Sequence, residues 1–131
     1  MMQYLLDANI LIALLNDGGS RPAQRARQYK PGDIGVSAIV AYELFYGAYK
    51  SQRATHNVAL IDGVPLEVLD FDKEDARQSG EIRATLAALG TPIGPYDVLI
   101  AGQAKSRNLI LITHNTSEFA RVPGLKIEDW A

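Results

Sequence analysis

The sequence predicts an α/β protein built on a mostly parallel sheet with helices on both sides. Two observations carry this prediction. Short apolar runs alternate with helix-compatible stretches along the chain, with no internal repeat, linker or low-complexity segment between them. In addition, the run Leu109 to Ile112 is aliphatic without interruption, the mark of a strand covered on both faces.

The elements follow in order. Gln3 to Leu6 forms a strand ending at Asp7, and Ile10 to Leu15 continues as helix until Asn16, Asp17, Gly18 and Gly19 break the pattern. Ser20 caps a second helix through about Lys30, with Pro22 in its first turn and Pro31 and Gly32 as its stop. Ile34 to Val36 is a strand. Ser37 caps a helix to about Lys50, and a further helix spans Arg53 to Ile61. Gly63 stops that helix, and Pro65 precedes the alternating strand Leu66 to Phe71. Asp72 opens the longest helix, whose apolar set contains Ala76, Ile82, Leu86 and Leu89 and which stops at Gly90. Gly94 and Pro95 start another helix, which fades around Asn108 before the Leu109 to Ile112 strand.

With 131 residues, 47% of them hydrophobic, the expectation is one globular domain over residues 1–131 with a continuous core. The absence of cysteine excludes disulfide frameworks, thiolate zinc sites and cysteine nucleophiles. Only His56 and His114 offer imidazole ligands. The apolar start, MMQYLLDANILIALLN, lacks a basic flank, contains Asp7 and Asn9, and is too short to span a membrane. The expectation is a soluble, cytoplasmic protein with no membrane association. A net charge of −2 is weak support for nucleic-acid binding by phosphate neutralisation alone. Attraction to RNA would have to come from local clusters, such as Arg21, Arg25 and Arg27 or Lys50 with Arg53, and from a bound divalent ion.

Ligands of open α/β sheets bind beyond the carboxyl ends of the strands, so acids placed there carry weight. Asp7 is one, although an aspartate between strand and helix is equally a helix N-cap. Glu43 lies in AIVAYELFYGAYK, a helix apolar nearly all round and therefore expected to be buried, on a face shared with Ile39, Val40, Tyr46 and Gly47. A buried carboxylate needs a partner, a proton or a metal. Asp97 sits in a helix first turn, where the helix dipole alone favours an acid by about 0.3–1 kcal/mol. Its neighbours Ile100, Ala101 and Ala104 are nevertheless apolar, so it points across a packed face. After the last aliphatic strand, Asn115 or Glu118 can reach the same pocket, and Thr116 can cap a short turn. Three carboxylates in contact repel one another by about 1–4 kcal/mol per pair. Oxygen ligands select a hard cation, and a site with room for water and phosphate suits Mg²⁺ or Mn²⁺.

Four segments, LLDANILIALL, SAIVAYELFYGA, IGPYDVLIAGQAKSRNLILITHNTSEF and RVPGLKIEDW, together resemble the PIN-domain toxins of the VapC type, in the right order over nearly the whole chain. The resemblance implies a PIN-like fold with a mostly parallel sheet of about five strands. It further implies an Mg²⁺-dependent endoribonuclease that inhibits translation, is neutralised by a cognate antitoxin and forms a homodimer, with DNA contacted only through the antitoxin. By position, Asp7, Glu43 and Asp97 match the family's catalytic and metal-binding acids. Asn115 falls where relatives carry an aspartate or asparagine, and Glu118 resembles an additional acidic position. Two departures stand out. Ala8 replaces a Thr or Ser that could orient Asp7, and Asn115 lowers the pocket's charge, which favours one metal ion over two. The aromatic stretch Tyr42, Phe45, Tyr46 and Tyr49 reads either as core packing or as a groove for the antitoxin or part of a dimer surface. Lys50, Arg53, Lys105 and Arg107 read as solvated.

Three other readings compete. A phosphoacceptor receiver domain shares the sheet and the acidic pocket, but it requires paired acids at the first strand and a lysine after a late one. Here Asp7 stands alone and Ile112 leads into Thr113 and His114. A catalytically silent PIN module acting through antitoxin binding would be marked by loss of a core acid. A PIN nuclease acting outside any toxin pair shares every one of these residues.

Overall fold

Five short strands form a single sheet in the order β3-β2-β1-β4-β5, and every pairing is parallel. The strands are β1 (Tyr4–Leu6), β2 (Ile34–Ser37), β3 (Glu67–Leu69), β4 (Ile110–Ile112) and β5 (Ile127–Glu128). In this computed structural model, which describes residues 1–131, the helices are α1 (Ala8–Asn16), α2 (Arg21–Ala26), α3 (Ala38–Lys50), α4 (Ala54–Asp62), α5 (Lys73–Ala88), α6 (Pro95–Ser106) and α7 (Thr116–Phe119). A 3-10 turn at Pro31–Asp33 precedes β2. The α/β class and the five strands agree with expectation, and the sheet is wholly rather than mostly parallel.

The chain winds outward from β1 through β2 to β3, then crosses back to place β4 and β5 on the other side. The connection therefore reverses between β1 and β4. Such a reversal leaves a crevice at the strands' carboxyl ends, because the flanking loops depart in opposite directions. Registers Leu6↔Val36 and Leu6↔Ile112 align the ends of the three central strands. Leu5, Leu6, Leu111 and Ile112 are completely buried, as strands covered on both faces require.

Several sequence-based expectations are corrected. The second helix ends at Ala26 rather than near Lys30, and β3 is the three residues Glu67–Leu69. On α5 the buried stripe is Asp75, Ser79, Ile82 and Leu86, while Ala76 and Leu89 face solvent. Helix α3 is not buried all round: Tyr42, Tyr46 and Tyr49, at i, i+4 and i+7, are 54%, 60% and 69% exposed. A helix on one side of a sheet has one face to bury, and here its other face carries aromatics.

Other expected punctuation holds. Ser20 and Ser37 accept hydrogen bonds from the Ala23 and Ile39 amides. Asp72 and Asp75 form a reciprocal capping box at the start of α5. Gly90 ends the helix at φ 72°, a left-handed conformation glycine adopts without a Cβ clash.

Candidate active site

Asp7 leaves β1 at the topological reversal, and its carboxylate is held at both oxygens. Oδ1 accepts the Ala8 amide at 2.8 Å, the helix-capping contact, and Oδ2 accepts the Thr113 hydroxyl at 2.8 Å. Asp7 is 6% exposed and Thr113 completely buried. The N-cap and site readings of Asp7 are thus compatible, since capping uses one oxygen only. Sequence reasoning placed Thr113 in the candidate segment after the last strand but gave it no role. The register Leu6↔Ile112 puts the next residues, Asp7 and Thr113, side by side, so a hydroxyl closing the LILI run was the available signal. Thr113 supplies a hydroxyl to Asp7 where Ala8 cannot.

Glu43 projects from the second turn of α3, a helix placed at the end of β2 by its Ser37 cap. It is partly buried, and its Oε1 is enclosed without a hydrogen-bond partner. Burial and the nearby charge of Asp7 raise its pKa above the usual glutamate value. The buried face assigned to Glu43 does not extend to Tyr46 and Gly47, which are exposed.

Asp97 lies in the first turn of α6 after Gly94 and Pro95. A helix N-terminus lowers a carboxyl pKa, but by less than one unit for an effect of about 0.3–1 kcal/mol. Here the pKa is instead pushed up to about 6, first by burial and then by the charges of Glu118, Asp7 and Glu43. Burial, reinforced by the crowding of like charge, outweighs the dipole. Ile100, Ala101 and Ala104 on the same helix are completely buried, as the packed-face reading requires.

The remaining acid, Glu118 on α7, is held below the usual glutamate range by the Gly94 amide on Oε1 at 2.8 Å and the Asn115 side-chain amide on Oε2 at 2.6 Å. The nearness of Asp97 and Glu118 pushes the pKa of Asp97 up and that of Glu118 down. Asn115 therefore turns its amide nitrogen to Glu118, and its backbone amide donates to Thr113 Oγ1 at 3.0 Å. Asn115 rather than Thr116 occupies the cap position of α7, and it makes no side-chain capping bond.

Asp7, Glu43, Asp97 and Glu118 thus share one electrostatic neighbourhood, with Asn115 bridging to it. No three of the acidic or histidine side chains stand close enough together to hold a metal ion as they are. His114 is exposed and pairs with Asp129 at 3.1 Å, and His56 is exposed on α4. Two carboxylates with water and phosphate oxygens are an ordinary Mg²⁺ environment. The all-oxygen donor set, the unpartnered Glu43 Oε1 and the raised Asp97 pKa fit such an ion.

The basic residues are mostly engaged elsewhere. Arg25 pairs with Glu128 at 3.7 Å and lies over the Trp130 ring, and Arg27 donates to the Gly18 carbonyl. Arg107, expected to be solvated, instead grips the completely buried Asp75 at 3.0 Å. A broad apolar depression is also separate from the acids. It measures about 490 Å³ and is lined by Leu11, Leu14, Leu15, Ala23, Tyr29, Leu60 and other apolar side chains. A second groove of about 330 Å³ shares Leu15 and Leu60 with it and reaches Glu43.

The PIN-domain family profile matches residues 4–125. The chain is 43% identical to the tRNA(fMet)-specific endonuclease VapC of Shigella flexneri over 135 aligned residues, covering 100% of both proteins. Its fold superposes with a TM-score of 0.94 on a chain of DNA-bound VapBC from Salmonella typhimurium, at 42% identity and full coverage of both. A chain of VapBC2 from Rickettsia felis, bound to a DNA fragment from its promoter, gives 0.92 at 34% identity, covering 99% of this chain and 100% of that one. Sheet order, the placement of acids at its reversal and likeness over the full length agree: the chain belongs to the PIN-domain family, in its VapC branch.

Proposed function

We propose that this protein is a divalent-metal-dependent endoribonuclease that acts in the cytoplasm as the toxin of a toxin–antitoxin pair and inhibits translation by cutting RNA. The observation that carries the reading is the gathering of Asp7, Glu43, Asp97 and Glu118 at the sheet reversal, with Asp97 raised to about 6. A charge cluster of that kind relaxes when a cation enters.

Asp7, pinned by Thr113 and its own helix, and Asp97 would hold Mg²⁺, with Mn²⁺ as the alternative ion. The ion supplies Lewis acidity toward the phosphate and eases deprotonation of water. Glu43, with a free buried oxygen and a raised pKa, takes the proton of the attacking water. Glu118 and Asn115 fix the loop before α6 through Gly94 and so hold Asp97 in place. Attack of water on phosphorus expels the ribose 3′ oxygen and leaves a 5′-phosphate.

The name of the Shigella flexneri relative supports tRNA(fMet) as the first substrate to try. The VapBC assemblies among the neighbours support an antitoxin partner, with DNA reached only through it, and the apolar grooves beside α1 and α4 offer that partner a surface. A homodimer is part of the same proposal. The test is cleavage of total RNA and of tRNA(fMet) by purified wild-type and Asp7→Ala protein, with Mg²⁺, Mn²⁺ or chelator. Discrete products requiring both metal and Asp7 are expected. Cleavage in chelator, 2′,3′-cyclic phosphate ends, or full activity of Asp7→Ala would falsify the mechanism.

A further inference from the structure

Tyr42 and Tyr96 immediately precede Glu43 and Asp97 in sequence, and Tyr96, its pKa raised chiefly by the Tyr42 hydroxyl, lies near enough to Glu43 for that carboxylate's charge to raise it further. The two tyrosine ring centroids are 5.7 Å apart with planes tilted at 52°, and their hydroxyls meet at 3.5 Å. Neither ring is needed to close the core, since they are 54% and 44% exposed. One turn along α3 the aromatic line continues with Tyr46, whose ring carries Lys50 Nζ at 5.5 Å from its centroid.

Charge poses the problem this pair answers. The chain carries a net charge of −2, the pocket is ringed by carboxylates, and Arg25, Arg27 and Arg107 are engaged elsewhere. Phosphate neutralisation is therefore a weak source of affinity for an RNA strand. Stacking of bases on aromatic rings does not depend on net charge and tolerates any base.

We propose that Tyr42 and Tyr96 form a stacking platform that holds an unpaired nucleobase of the RNA beside the phosphodiester presented to the acids. The inference rests on the nuclease reading of that pocket and adds to it the source of substrate affinity. The platform favours unpaired over duplex RNA, because a base must leave its stack to meet the rings.

The test is binding of a short single-stranded RNA containing 2-aminopurine in chelator, where no cleavage occurs, to wild type, Tyr42→Leu, Tyr96→Leu and the ring-retaining Tyr42→Phe and Tyr96→Phe. Each Leu variant is expected to weaken binding about five- to a hundredfold and to relieve the fluorescence quenching caused by stacking. The Phe variants should bind like wild type. The slope of affinity against salt should be the same throughout, because no phosphate contact is removed. Wild-type protein that cleaves RNA in Mg²⁺ while the Leu variants bind as tightly as it does keeps the nuclease and overturns the platform. Ring-dependent binding by protein that never cleaves upholds the platform and sinks the nuclease. Leu variants whose sedimentation shows a changed oligomeric state with unaltered quenching by bound RNA assign the pair to an interface between copies, and that too overturns it.

Discussion

The Thr113 hydroxyl donates to Asp7 Oδ2 at 2.8 Å across 106 residues of sequence, joining the ends of β4 and β1 at the sheet's reversal. Thr113→Val keeps the shape and removes the donor, leaving a buried carboxylate oxygen unsatisfied. The expected cost is about 1–3 kcal/mol of stability, together with weaker metal-dependent stabilisation. Thr113→Ser should restore most of both. Urea denaturation of the three proteins, with and without Mg²⁺, checks this; a Val variant indistinguishable from wild type in both series would remove Thr113 from the site.

Asp97 makes the metal-free protein sensitive to pH in a defined direction. Its folded-state pKa of about 6 lies above the ordinary 3.8, so its contribution to stability is fully present below 3.8 and is lost as pH rises through about 6. Asp97→Asn is uncharged at every pH. In chelator it should melt higher than wild type above pH 7, and the difference should vanish toward the acid side. Mg²⁺ should raise the melting temperature of wild type above pH 7 and leave Asp97→Asn nearly unmoved. Thermal melts across pH decide it, and a variant that melts below wild type above pH 7 contradicts the burial and crowding of the Asp97 charge.

Much of this site was legible before the fold was known, because the alternation of strands and helices places Asp7 at a strand end and Asp97 at a helix start. What sequence did not disclose was pairing across the sheet. Thr113 reads as one more polar residue after LILI until β4 is known to lie beside β1. The tyrosines of α3 read equally as core or as surface, because composition cannot tell which aromatic face is covered. Asp75 resembles a solvated first-turn acid. Its spacing to Ser79, Ile82 and Leu86, at i+4, i+7 and i+11, was the sign of burial, hidden because two members of the stripe are polar.

Asp75 predicts the opposite pH behaviour to Asp97. Burial alone would raise its pKa, but hydrogen bonds from the Arg107 guanidinium, the Asp72 amide and Ser106, with the Arg107 charge, hold it below the usual value. Its stabilisation is present above the ordinary 3.8 and lost as pH falls through the lower folded-state pKa. Arg107→Ala leaves a completely buried carboxylate without its counter-charge and should cost about 2–4 kcal/mol, less than a fully buried pair because Arg107 is 29% exposed. The variant should also unfold in acid at higher pH than wild type. An acid titration by circular dichroism tests this, and coincident acid transitions in the two proteins would rule out the pair as a stabilising element.

Gly102 fixes how closely α6, the helix bearing Asp97, lies against α5. A Cβ at this position would overlap the Ser79 hydroxyl and come within 2.7 Å of the Ser79 Cα and amide nitrogen. Because the obstruction includes backbone, rotating a side chain does not relieve it, and the helices must separate. Gly102→Ala should therefore destabilise by about 1–3 kcal/mol despite alanine's better helix propensity. Adding Ser79→Gly should restore only part of the loss, since the backbone contacts remain. The displacement also strains Gln103, whose Nε2 donates to the Asp70 carbonyl at 3.0 Å and to Asp75 at 3.1 Å. The acid-unfolding midpoint of Gly102→Ala should thus move toward that of Arg107→Ala. Urea and acid denaturation of the single and double variants test this, and full rescue by Ser79→Gly would show that the hydroxyl alone, and not the approach of the two backbones, sets the spacing.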